Sequence, residues 1–166
     1  MKHAFVNIIS HSKKYVYIES PYFIPTDSIL MAMQTAAMSG VDVRLMIPKR
    51  GDKGILPPLA SKSYLKEILK AGVKVYFYQE GYLHSKTIVS DDKFATVGST
   101  NIDVRSLEQN FEVNAFVYND EFAVKMKEIF LEDMKNTKEI TWRHWQHRPV
   151  IQKIKESFAR LFAPLL

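Results

Sequence analysis

An alternation of short apolar runs and longer helical stretches is what most constrains the fold of this chain. Tyr15 to Ile18, Val41 to Ile47 and Val73 to Tyr78 have strand character, and the junctions around them carry proline or glycine. Phe5, Ile8 and Ile9 predict a short first helix. Thr26 or Asp27 is placed to cap a helix running through Ser39, with Gly40 as its stop; a third helix, from about Pro58 to Ala71, stops at Gly72. Ser20 to Pro25 reads as a loop punctuated by two prolines, and Lys49 to Gly54 as a polar loop. His84 to Val89 and Phe94 to Val97 predict two strands around a Ser90-Asp91-Asp92-Lys93 turn, a hairpin. Phe111 to Tyr118 predicts a further strand and Glu121 to about Met134 an amphipathic helix. Strands alternating with helices indicate an α/β domain, and the hairpin makes its sheet mixed rather than purely parallel.

Composition narrows the chemistry. The 166 residues are 46% hydrophobic and include no cysteine, so this chain has no disulfide, thiolate metal site or cysteine nucleophile. The longest uncharged run, Ser28 to Val41, is 14 residues and too short to span a bilayer. Met1 to Phe5 lacks the apolar core of a secretion signal, so a soluble or peripheral protein is expected. Of the net charge of +5, +4 falls in residues 142–166, where Arg143, Arg148, Lys153, Lys155 and Arg160 face one acid, Glu156. Ile151, Ile154, Phe158, Leu161, Phe162 and Leu165 fall on one helical face of that tail. The division expected is a domain over 1–140 and a basic amphipathic C-terminal helix over 141–166.

The chemistry concentrates in His84-Ser85-Lys86, Asp91 and Gly98-Ser99-Thr100-Asn101. Strand alternation puts His84 and Lys86 on one face, an imidazole beside a fixed ammonium. Lys86 supplies point charge for a phosphate, Ser99 and Asn101 can donate hydrogen bonds to its oxygens, and Gly98 permits close backbone approach. Asp91 sits in a turn that favours aspartate for its own backbone bonding, so a structural role competes with a catalytic one. Met31, Met33 and Met38 read most simply as a packed helix face.

The pattern His-x-Lys-x4-Asp-x6-Gly-Ser-x-Asn resembles the signature of the phospholipase D superfamily at all six fixed positions. At about one in twenty per position, chance agreement is roughly 10⁻⁸ per starting residue. Glu19 to Pro25, Gly40 to Arg44, Ile47 to Lys49, Asn101 to Ser106, Asn110 to Asn114 and Ala159 to Leu166 are similar to the second half of bacterial cardiolipin synthases. The resemblance implies a phospholipase D-like α-β-α sandwich, a mixed sheet flanked by helices, carrying one of the two motif copies. His11-Ser12-Lys13 repeats the opening tripeptide, but Ile18 stands at the aspartate position and no Gly-Ser-x-Asn follows.

The resemblance also implies a reaction without metal or cofactor. His84 attacks phosphorus as a neutral imidazole, Glu112 orients it, and Lys86, Ser99 and Asn101 stabilise the phosphoryl oxygens, with Asp91 completing the catalytic set. Two phosphatidylglycerols give cardiolipin and glycerol. The general acid comes from a second motif, supplied by a homodimer partner or by the N-terminal half of a synthase. The expected setting is peripheral contact with anionic phospholipid on the cytoplasmic face of a bacterial cell membrane. A dimeric phosphodiesterase or nuclease and a non-catalytic lipid-binding fragment are the alternatives. Nucleic acid is disfavoured, because the charge sits in the tail and not around the motif.

Overall fold

The computed structural model describes residues 1–51 and 54–165; Asp52 and Lys53 of the polar loop, and the terminal Leu166, lie outside it. In chain order the elements are α1 (Lys2–His11), β1 (Tyr15–Glu19), β2 (Phe23–Ile24), α2 (Asp27–Met38), β3 (Asp42–Pro48), α3 (Leu56–Lys70), β4 (Lys74–Tyr78) and β5 (Thr87–Ser90). There follow β6 (Phe94–Gly98), β7 (Ile102–Asp103), α4 (Val104–Glu108), β8 (Asn114–Val117), α5 (Asp120–Asp133), β9 (Thr137–Ile140), α6 (Trp142–Gln146) and α7 (Val150–Arg160).

Gly40 and Gly72 set the turns that lead into β3 and β4. Both have positive φ, +89° and +97°. After each helix the glycine N–H and the next residue's N–H return to carbonyls of the last turn: Gly40 to Ala37 and Val41 to Ala36, Gly72 to Leu69 and Val73 to Ile68. This paired closure requires the left-handed conformation that glycine adopts without strain.

The main sheet has the order β8-β6-β5-β1-β3-β4-β9. β1, β3 and β4 run parallel, while β5, β6, β8 and β9 join antiparallel. The mixed sheet expected from the hairpin is therefore present. Alternation on β1 explains its two-sided burial. Val16 and Ile18 pack with Phe5, Ile29 and Leu65 of α1, α2 and α3, whereas Tyr15 and Tyr17 pack with Ala123 and Phe130 of α5. Tyr17 stacks on Phe130 with ring centroids 4.8 Å apart. Helices thus cover both faces, an α-β-α sandwich.

Several boundaries differ from the sequence reading. β5 begins at Thr87, so His84 and Lys86 lie in the extended segment before the strand and not on it. β8 begins at Asn114, leaving Glu112 in the approach to the strand. Phe23–Ile24, read as loop, pairs with Ile102–Asp103 in a separate two-stranded ribbon. Met33 is buried, but Met31 and Met38 are exposed, so the three methionines do not share one packed face.

The tail is not one helix, because Pro149 separates α6 from α7. Its packing is inverted: α7 turns its charged side inward. Glu156 is buried and takes an ion pair from Arg148 at 2.5 Å, and Arg160 pairs with Glu67 of α3 while lying over the Tyr64 ring. Ile151, Ile154, Phe158 and Leu161 are each more than half exposed.

Candidate active site

The motif residues gather at the carboxyl end of β1, where β5 begins and β6 ends. Glu19 is opposite Thr87, Thr87 opposite Val97, and Gly98 opposite Asn114. One step beyond the paired strands, the Gly98 N–H donates to the Lys86 carbonyl at 3.3 Å, which fixes the motif's two halves side by side. Gly98 is required here by space. A Cβ at this position would stand 2.2 Å from the Val113 carbonyl oxygen and 2.6 Å from Asn114 Cα.

His84 is exposed and follows buried Leu83, which packs into the α5 side of the core. Its ring lies 5.4 Å from that of Tyr82, and the Tyr82 hydroxyl donates to the Tyr22 hydroxyl at 3.4 Å. Lys86 Nζ donates to the His84 carbonyl at 2.8 Å, so the ammonium is held beside the histidine through main chain.

Ser99 and Glu112 form the other wall. The Ser99 hydroxyl donates to Glu112 and accepts the Val113 N–H at 3.0 Å, while Ser99 N–H bonds the Val113 carbonyl at 2.9 Å. Asn110 Nδ2 reaches the second Glu112 oxygen at 3.4 Å. The direct Glu112–His84 bond implied by the resemblance is not made; Glu112 orders Ser99 instead. Asn101 is half-buried, and its Oδ1 is buried without a hydrogen-bond partner among the described residues.

Asp91 lies at the opposite end of β5. With Asp92 it forms the two positive-φ positions of the hairpin turn, φ 55° and 58°. Its carboxylate accepts the N–H groups of Lys13, Lys14 and Tyr15 at 2.6, 2.9 and 2.9 Å, tying the hairpin to the start of β1. The structure does not bring Asp91 together with His84; the turn role weighed for it in the sequence is the one it fills.

Two supporting residues carried no role in the sequence reading. Asn114 accepts from the Thr100 hydroxyl at 2.6 Å and donates to Thr96 at 3.1 Å, fixing the Ser99–Asn101 loop from below. Glu19 is buried at the base of the site, accepting from Thr87 at 3.3 Å, with its other oxygen unpartnered among the described residues. Burial, and then the neighbouring Asp133 carboxylate, push the Glu19 carboxyl up to about 7. A carboxylate at the buried end of an otherwise apolar strand was the signal available for it. Among the described residues no group of three or more His, Asp or Glu is placed to hold a metal ion, and no helix is long and apolar enough to cross a membrane.

A mixed sheet between helical layers, with His, Lys, Ser and Asn converging at one end, defines the phospholipase D class of fold. Two solved structures share it: Nuc, a phospholipase D family member from Salmonella typhimurium, and phosphatidylserine synthase from Haemophilus influenzae. Nuc matches with a TM-score of 0.71 at 22% identity, over 84% of this chain and 90% of its own. The synthase matches at 0.74 and 16%, over 97% of this chain and 44% of its own. Residues 5–134 match the family model described as cardiolipin synthase, PLD-like domain, and the chain belongs to that family. A cardiolipin synthase from Geobacillus kaustophilus is 46% identical over all 166 residues, and the major cardiolipin synthase of Bacillus subtilis 44%. The chain spans 33% and 34% of those two relatives, about a third of their length.

Proposed function

We propose that this chain is one half-site of a phosphatidyltransferase that makes cardiolipin and glycerol from two phosphatidylglycerols. The observation that carries the reading is the convergence of His84, Lys86 and Ser99 at one sheet end, in a chain similar end to end to cardiolipin synthases. An imidazole nitrogen of His84 attacks the phosphorus of the donor, a P–N bond forms, and the bond to the glycerol oxygen breaks. The departing glycerol takes its proton from a general acid on the second motif, in the remainder of the protein or in a second copy. The hydroxyl of the acceptor lipid then attacks phosphorus, gives up its proton to the same group, and releases His84. Lys86, Ser99 and Asn101 hold the phosphoryl oxygens, and Glu112 positions Ser99.

Residues 1–140 carry this chemistry, and residues 141–166 set the domain on the membrane. The outward apolar face of α7, with exposed Lys155 on the same helix, suits an anionic lipid surface on the cytoplasmic side. The test is a chimera in which this chain replaces the matching third of the Bacillus subtilis synthase. Vesicles of phosphatidylglycerol should yield cardiolipin and free glycerol, and His84→Ala should abolish both. A folded chimera without cardiolipin formation, or one that cleaves DNA instead, contradicts the proposal.

A further inference from the structure

A cavity of about 230 Å³ lies beside the site, under the α4 segment, with the polar side chains of Asn101, Asp103, Arg105 and Ser106 in its wall next to apolar Ile24 and Leu165. Drug-sized pockets begin near ~300 Å³, so this space is of headgroup size.

Its wall offers three functions that one ligand chemistry meets together. Arg105 is exposed and its guanidinium has no partner among the described residues, so it can take an anion. Asn101 Oδ1 is a buried acceptor lacking a donor. Asp103, which lines the same cavity, spends one carboxylate oxygen on the Ser106 N–H at 2.7 Å and has further acceptor capacity. Inorganic phosphate serves the arginine, but its one or two P–OH donors are held on the same tetrahedron as the anionic oxygens and do not extend to two further acceptors. A phosphodiester carrying a glycerol group supplies both. The cavity also sits next to the reacting centre: Tyr22 forms part of its wall and meets Tyr82, whose ring lies against His84.

We infer that this cavity is a headgroup subsite for a phosphoglycerol diester, with Arg105 binding the phosphate and Asn101 Oδ1 and Asp103 receiving glycerol hydroxyls. It holds the acceptor lipid while His84 carries the donor's phosphoryl group, and in that respect the inference rests on the proposed function.

The experiment is a backbone amide NMR titration of the 166-residue chain with glycerophosphoglycerol, the deacylated headgroup of phosphatidylglycerol, and in parallel with inorganic phosphate. The amides of Arg105, Ser106 and Asn110 should shift saturably with the diester and respond at least about tenfold more weakly to phosphate. Arg105→Gln should weaken that response at least about tenfold while shifts at His84 and Lys86 persist, with Arg105→Lys recovering part of it. Shifts confined to His84 and Lys86, equal response to phosphate, or indifference to Arg105→Gln would overturn the subsite and leave the proposed activity standing. A chimera without cardiolipin formation whose Arg105-dependent shifts are intact does the reverse: it sinks the activity and leaves the phosphoglycerol site.

Discussion

The Ser99 hydroxyl donates to the Glu112 carboxylate, and the Val113 N–H donates back to the same hydroxyl oxygen at 3.0 Å. This exchange joins the loop after β6 to the approach of β8. In the proposed reaction Glu112 therefore acts on the phosphate through Ser99. Glu112→Ala should lower kcat/KM for cardiolipin formation in the chimera by about 10²-fold, the scale expected when a binding group is misplaced by an ångström. Glu112→Gln should retain more activity, because an amide oxygen still accepts from Ser99. Steady-state kinetics of the two variants decide it, and equal loss in both would point to a charge role instead.

Glu19 makes stability depend on pH. Its carboxyl titrates near 4.5 when unfolded and at about 7 when folded. Across that window the folded chain keeps a proton that the unfolded chain has released. Its contribution is thus greatest below the window and is lost as pH rises through 7, by about 3 kcal/mol in total. Urea denaturation at pH 5 and pH 7.5 should show the loss, and Glu19→Gln should flatten the slope.

Asp91 is expected to matter for stability and not for turnover. Removing a carboxylate that accepts three main-chain N–H groups should cost about 3 kcal/mol in Asp91→Ala, with part of the cost arising from a Cβ-only side chain at positive φ. Asp91→Asn tolerates the turn and should cost less. Activity per folded chimera molecule should be unchanged in both; a large fall with full folding would restore Asp91 to the catalytic set.

The tail prediction separates lipid contact from packing. Ile154 and Phe158 are 57% and 58% exposed, so Ile154→Glu with Phe158→Glu should leave the melting temperature nearly unchanged. Co-sedimentation of the chain with phosphatidylglycerol vesicles should fall at least about tenfold, since each side chain contributes about 1.5–3 kcal/mol when buried. Undiminished binding would assign lipid contact elsewhere.

Much of this architecture is legible in the sequence for local reasons. Gly40 and Gly72 end helices through their own backbone geometry, and the Asp91-Asp92 turn closes a hairpin by the same means. The motif residues are legible because their spacing matches a known pattern. What depends on distant contacts is not. β9 pairs with β4 and β2 with β7, strands distant in sequence, so neither announces itself in a short window. The extended segment holding His84 and Lys86 looks like the strand it leads into. Glu112 stands out in the sequence through the resemblance, but its partner is set by how close β8 can approach Gly98. The inward charged face of α7 follows from Glu67 and Arg148, which no periodicity within the helix reveals.

Transfer of the phosphatidyl group through His84 leaves a covalent intermediate that can be trapped. The chimera is quenched during turnover with phosphatidylglycerol labelled at phosphorus and then digested. Label is expected on the peptide containing His84, released by neutral hydroxylamine as for a phosphorus–nitrogen bond. Continued cardiolipin formation with that peptide unlabelled would contradict transfer through His84.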